Sequence, residues 1–262
     1  MVIVFFTVSI LSSIAGSICG IGGGVIIKPV LDATGIMSVS AISFLSGCTV
    51  LAMSVVSVYK NVRSKAAKLD LRIATGLAVG AAVGGVLGKM MFQALKAAVG
   101  NEAVVGMTQA LVLIAVTLGT LIYTVYKHRI RTKTYTQIWL CVVIGILLGV
   151  MSSFLGIGGG PINLVVLAYF FSMSTKEAAL SSLYIIMFSQ ITSLIQTCAA
   201  GSVPKVSAAY LAAMVVGGIL GGTLGSRVNK KISEEGVNKL FIALMAVIIG
   251  INIYNAVKFG MA

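Results

Sequence analysis

Gly20-Ile21-Gly22-Gly23-Gly24 runs straight into Val25-Ile26-Ile27, and the same five residues return as Gly156-Ile157-Gly158-Gly159-Gly160 ahead of Pro161-Ile162-Asn163. The offset of 136 is about half of the 262-residue chain, so the repeat divides it into residues 1–132 and 133–262. Both copies stand in long uncharged sequence. Glycine-rich backbone at membrane depth survives only where it is buried in protein or lines a cavity, because lipid cannot satisfy its N–H and C=O groups. Two such breaks in equivalent places of two halves point to a transport site between them. A dinucleotide-binding fingerprint is a poor alternative. It needs a strand before the motif and a glycine where Val25 stands.

Composition agrees with the membrane reading. Mean hydropathy is +1.09, and only 10% of residues are charged, where a soluble domain carries roughly 25%. Only helices or closed barrels span lipid, and the unbroken apolar runs lack the alternation of a barrel. The fold expected is an all-α polytopic membrane protein. Its net charge of +13, from 19 Lys+Arg against 6 Asp+Glu, would suggest nucleic acid in a soluble protein. Here the basic residues cluster between spans, where they set orientation, and no nucleic-acid partner is expected. Cys19, Cys48, Cys141 and Cys198 are scattered in apolar sequence without metal-ligand spacing, so neither a disulfide framework nor a metal site is expected. No cofactor motif is present. The first residues carry no basic segment of the kind that precedes a cleaved signal, and Gly16-Ser17-Ile18-Cys19 is a weak lipoprotein box because Ile18 is too large.

Along the chain, Met1 to Ile27 is uncharged, and a second uncharged run covers Ala33 to Tyr59. A basic loop with Lys60, Arg63, Lys65, Lys68 and Arg72 follows, then spans at about Ile73–Leu95 and Ala103–Tyr126. Lys127, Arg129, Arg131 and Lys133 mark the linker between the halves, with His128, the single histidine, read as a loop residue. Thr134 to Thr175 is 42 residues without a charge. As one helix it would be roughly 63 Å long against a hydrocarbon core of about 30 Å, so it must break, and Gly156–Gly160 is the place. Ala178–Val203, Val206–Ser226 and Leu240–Val257 complete the second half. The halves match further. Gly80, Gly84, Gly85, Leu87 and Gly88 recur at offset 137 as Gly217, Gly221, Gly222, Leu224 and Gly225, and Ser43 and Leu45 recur at 138 as Ser181 and Leu183. Gly80, Gly84 and Gly88 form a small-residue stripe that suits close helix packing.

Charge then decides between two topologies. With four crossings per half, the basic residues divide 11 to 8 between the two faces. If each glycine segment instead makes no net crossing, as a re-entrant hairpin of two short helices, Lys176, Arg227, Lys230, Lys231 and Lys239 join the linker side. Lys205 and Lys258 then leave it, and the division becomes 14 to 5. The positive-inside rule prefers the second arrangement. Three net crossings per half make the halves inverted repeats, with both termini facing outward.

After each glycine cluster a half-helix is expected, about Val25–Gly35 and Pro161–Phe171, each roughly 17 Å long. Pro161 suits a first helical turn, where its missing N–H costs nothing, whereas the first copy has Val25 there and Pro29 one turn on. Two such N-termini, with free N–H groups and the positive dipole ends, would form an anion site from Gly20, Gly22, Gly23, Gly24, Gly156, Gly158, Gly159 and Gly160. Asp32, Asp70, Glu102, Glu177, Glu234 and Glu235 all lie near span ends, which favours an anion over a cation. Lys28 has no basic counterpart, since Leu164 stands at its offset; it pairs with Asp32 one turn on, snorkels, or contacts the substrate. Ser43, Asn163, Ser181, Ser182 and Gln190 are neutral groups that would complete the site, although such residues more often bond between helices. Cys19 reads as a small packing residue.

With both motifs in view, the duplicated chain resembles the sulfite exporter TauE/SafE family, also called the toluene sulfonate uptake permease family, over about residues 3 to 258. The resemblance implies a transporter of small sulfur-containing anions such as sulfite, thiosulfate, sulfoacetate or other organosulfonates across a bacterial or archaeal cytoplasmic (inner) membrane. A non-enzymatic secondary carrier is expected, because no P-loop is present; its partners would be the substrate anion and the lipid bilayer, and a homo-oligomer is compatible. The competing readings are a permease for a carboxylate or other organic anion and a membrane assembly protein. A membrane enzyme is disfavoured, because the spans lack the His, Asp and Glu that hydrolysis needs.

Overall fold

Ten helices account for nearly all of the chain in the computed structural model, which describes residues 1–64, 67, 69–157 and 159–261, with His128 described by its backbone alone. They are α1 (Val2–Cys19), α2 (Gly24–Thr34), α3 (Val39–Arg63), α4 (Leu71–Val99) and α5 (Glu102–Tyr126), then α6 (Ile138–Leu155), α7 (Gly160–Phe171), α8 (Thr175–Ala199), α9 (Ala208–Lys231) and α10 (Glu234–Gly260). A single 3-10 turn, Lys127–Arg129, follows α5. No strand occurs among the described residues. All helices except α2 and α7 are long and apolar enough to cross a membrane. This includes the first arm of each glycine-broken pair: α1 and α6 are 18 residues each, longer than the short arms expected from sequence.

Local chemistry fixes the helix starts. Ser38, Asp70, Asn101, Ser174, Ser207 and Ser233 accept backbone N–H groups at the starts of α3, α4, α5, α8, α9 and α10. At α8 the cap is reciprocal, because Glu177 also bonds back to the Ser174 N–H. The glycine clusters end α1 and α6. Gly20 (φ 76°) and Gly156 (φ 66°) turn left-handed and donate to the Gly16 and Ser152 carbonyls, a closure that an L side chain would strain. Pro161 lies in the first turn of α7, as expected. Pro29 lies inside α2, where it has no N–H to give the Val25 carbonyl.

The glycine stripes explain the packing. Gly80, Gly84 and Gly88 of α4 meet the backbone of Val142, Ile146 and Val150 on α6; in ascending register, the two helices run parallel. Gly217, Gly221 and Gly225 of α9 meet Phe6, Ile10 and Ile14 of α1 in the same way. Each stripe therefore receives the first arm of the other half. A Cβ at Gly84 would overlap the Ile146 carbonyl, so these positions admit only glycine at this separation. On its other face α9 sets Gly218 and Gly222 against Thr49 and Met53 of α3.

One end of the molecule gathers Lys96, which bonds Glu102 (2.9 Å) and Ser40 (2.8 Å). Nearby, Lys258 Nζ donates to the Ala33 carbonyl (2.9 Å) and Gln93 bonds Ser202 (2.6 Å). The other end holds the linker between the halves, whose Lys133 and Tyr135 N–H groups donate to the Tyr169 and Phe170 carbonyls at the close of α7. The apolar core lies between them. Ile21, Val25, Leu155 and Ile157, all from the glycine loops and their flanks, belong to it and are fully buried or nearly so.

Candidate functional site

The two glycine loops touch. Gly24, the first residue of α2, lies so close to the Ile157 carbonyl that a Cβ on it would overlap that oxygen. Gly160, the first residue of α7, faces Ile157 and Val25. Neither α2 nor α7 has a side-chain cap, unlike the six long helices described above, although both start in the buried core. Their first-turn N–H groups are thus left to one another, to the loops, or to a bound group.

Side chains from α3 and α8 close around this junction. The Ser46 hydroxyl stands beside Gly24 and Ser43 beside Gly156. Asn163, one turn into α7, donates to Ser182 (3.3 Å) and reaches Gly159 with the same amide nitrogen. Gln190 faces Gly47 of α3 and donates to Ser152 (3.4 Å) near the end of α6. Ser13 abuts Gly23 inside the first hairpin, and Gly20 is pressed against the Ala179 backbone. The hydroxyls of Ser13, Ser43, Ser46 and Ser181 and the Asn163 Oδ1 are all buried without a hydrogen-bond partner. Buried polar atoms are nearly always satisfied, so such a concentration is unusual for packing alone. Gly158 lies outside the described residues.

Of the residues singled out in the sequence, Gly23, Gly24, Gly156, Gly159, Gly160, Ser43, Asn163 and Ser182 thus meet at or beside the junction. Gln190 is about one turn removed, and Ser181 shares its turn of α8 with Ser182. Gly22 (φ 74°) lies in the first loop. Lys28 points elsewhere. Its ammonium bonds Asp32 (2.6 Å), and both residues are buried, at 3% and 5% exposure. The sequence reading placed Asp32 with the other acids at span ends, but it lies inside because α10 covers α2: Asn255 donates to the Pro29 carbonyl (2.8 Å) and Lys258 to Ala33. Ser13, Ser46, Gln109 and Asn255 were missed; their only signal is that each is a polar residue within an apolar span.

Three cavities border the half-helices: one, of about 540 Å³, lies at the end of α7 between Asp70, Phe171 and Glu177, and the other two run alongside. One, of about 290 Å³, extends from Lys127, Thr132 and Glu234 at the linker end, along α7 past Ala168 and Leu164, to Cys19 beside the first loop. From Ser172 to Leu164 that is roughly 12 Å at 1.5 Å per residue. Burial at its mouth lowers the Lys127 ammonium below the usual lysine range, with Glu234 acting against the shift. The other cavity, about 10 Å³, lies between Lys28, Asp32, Gln109, Leu155 and Asn252. The offset of 136 carries Lys28, Pro29 and Asp32 onto Leu164, Val165 and Ala168, and Leu155 back onto Cys19. All four counterparts line the 290 Å³ cavity, so the two spaces lie at matching positions of the repeated sequence, one roomy and one small.

A polytopic helical membrane protein with paired glycine-broken helices meeting in its core is built as a membrane transporter. The chain belongs to the sulfite exporter TauE/SafE family, whose model matches residues 5–253. No curated protein and no solved structure matches it.

Proposed function

We propose that this protein is a secondary transporter of small sulfur-containing anions (sulfite, thiosulfate, sulfoacetate or other organosulfonates) across the cytoplasmic membrane, with no catalytic chemistry of its own. The observation that carries this reading is the pair of uncapped, buried half-helix starts in contact at Gly24 and Ile157, ringed by unpartnered hydroxyls. Helix N-termini favour negative charge, and an oxyanion has several acceptor oxygens for N–H and O–H donors. Gly20, Gly22–Gly24, Gly156 and Gly158–Gly160 supply backbone approach; Ser43, Asn163, Ser181, Ser182 and Gln190 supply neutral hydrogen bonds. The test is uptake and exchange in proteoliposomes with labelled sulfite, thiosulfate and sulfoacetate beside a carboxylate control. Saturable exchange of at least one sulfur anion is expected. Exchange of the carboxylate alone would replace the substrate class.

The same reading makes residues 1–132 and 133–262 inverted repeats, each a re-entrant pair followed by three spans. Three contacts support it. Phe5 near the start of α1 stacks edge-on with Tyr210 at the start of α9 (4.8 Å between centroids). The end of α2 meets Lys258 near the end of α10, and the end of α7 meets the linker. With this path, α1 begins where α2 ends, α6 begins where α7 ends, and 14 of the 19 basic residues fall on the linker side. That side is then cytoplasmic, and the 290 Å³ cavity opens toward it. A reporter joined after the C-terminus should score as periplasmic, and one in the Lys127–Lys133 loop as cytoplasmic. Both scoring cytoplasmic would restore eight crossings and parallel halves.

A further inference from the structure

The anion site leaves the small cavity behind the second glycine loop without a role, and its chemistry is not that of a packing defect. Asp32 is the one buried carboxylate of the chain's six; Asp70, Glu234 and Glu235 are exposed and Glu102 and Glu177 half-buried. Its Oδ2 takes the Lys28 ammonium, but its Oδ1 has no partner. Gln109 Oε1, lining the same cavity, has none either. The Gln109 amide orientation is fixed, because Nε2 donates to the Phe154 carbonyl (2.6 Å). Two residues with an unsatisfied acceptor therefore line one space, and a proton on Asp32 supplies a donor there.

We infer that the Lys28–Asp32 pair is a proton-binding site that loads together with the anion, so that the carrier is a proton–anion symporter. The inference rests on the transport reading above. When Asp32 Oδ1 takes a proton from the aqueous side, the pair gains one positive charge. One negative charge of the anion is thereby offset during the crossing. On release both leave and the ion pair re-forms. The site is placed for this coupling: α2 carries the anion-binding Gly24 at its start and Asp32 two turns on, while Leu155 and the carbonyl bonded by Gln109 directly precede Gly156.

Packing does not require the pair. At equivalent places the second half has Leu164 and Ala168, so the same architecture is built without charge. Other charges facing Asp32 are few. Lys258 of α10 approaches it while bonded to Ala33. From α5 and α6 the cavity wall beside it is made of Gln109, Ala110, Leu113 and Leu155, none of them charged. Of the other helices against α2, α1 and α7 carry no charge, and Lys60 and Arg63 stand at the far end of α3.

The experiment uses proteoliposomes, a trapped pH dye and whichever permanently ionised sulfur anion the wild type exchanges, labelled thiosulfate or an alkanesulfonate, with the membrane potential clamped at zero. The wild type should take up one proton per anion and accumulate it up to about tenfold per unit of inward pH gradient. Asp32→Asn and the double variant Lys28→Leu/Asp32→Ala should still exchange anion for anion yet accumulate less than about twofold. Asp32→Glu should recover accumulation. Gradient-driven accumulation by either variant that lacks the carboxyl, or no gradient response in the wild type, overturns the proton site while leaving the transporter. Loss of exchange in the double variant also overturns it, since the pair would then serve anion binding or folding. A wild type that exchanges no sulfur anion removes the transport reading, and the coupling with it.

Discussion

Gly24→Val is expected to lower the initial rate of anion uptake by about 100-fold or more while the protein still reaches the membrane. The residue opens α2 with a right-handed backbone, so valine strains no dihedral there and has no poorer helix propensity than the glycine it replaces. Its effect is on approach. The new Cβ would overlap the Ile157 carbonyl and crowd the Ser46 hydroxyl, both of which must yield for the loops to stay in contact. Anion binding that relies on two backbone segments closing on one ligand tolerates little displacement, because hydrogen bonds weaken steeply with distance and angle. Gly100→Ala is the control. Gly100 is left-handed (φ 68°) with open space around its Cβ position, so alanine adds about 1–2 kcal/mol of local strain far from the loops and should leave transport unchanged. Normal uptake by Gly24→Val would reduce the glycine junction to a packing device.

The two breaks and the short helices after them could be read from the sequence because each rests on local chemistry. Five residues of which four are glycine cannot continue a helix economically, and 42 uncharged residues cannot remain one helix in a membrane. The stripe at Gly80, Gly84 and Gly88 was legible as packing, but its partner was not. Nothing in α4 says that it receives α6, or in α9 that it receives α1, because exchange of first arms between halves is a long-range choice. The lengths of α1 and α6 were hidden for a related reason: an uncharged run does not mark where its helix begins. Pairing with Asp32 one turn on was one of three readings open for Lys28, beside snorkelling and substrate contact, and it is the one the structure has. The burial of the pair was not readable, because it depends on α10 laying Asn252, Asn255 and Lys258 over α2 from more than 220 residues away. Isolated polar residues in the spans, Gln109 and Ser46 among them, carry no local sign that separates interhelical bonding from site chemistry.

Stability gives the Lys28–Asp32 pair a test that does not involve transport. Lys28→Met should destabilise the protein by about 3–5 kcal/mol, the cost typical of leaving one member of a buried ion pair alone. The reason is visible around the carboxylate. Asp32 Oδ1 already lacks a partner, the cavity beside it holds only about 10 Å³, and Leu113 and Leu155 form part of its wall. Lys258, the other cation near it among the described residues, is held at the Ala33 carbonyl. Replacing both charges is a different case, because a well-packed apolar pair is often as stable as the ion pair it replaces. Lys28→Leu/Asp32→Ala copies the arrangement that Leu164 and Ala168 have in the other half, and should lie within about 1 kcal/mol of the wild type on that rule. Unfolding midpoints in detergent, read by the protein's intrinsic fluorescence, separate these outcomes. If Lys28→Met unfolds at the wild-type midpoint, the Asp32 carboxyl does not depend on Lys28 to stay buried. If the double variant is as unstable as the single one, the pair is holding α2 in place, and its absence from the second half requires another explanation.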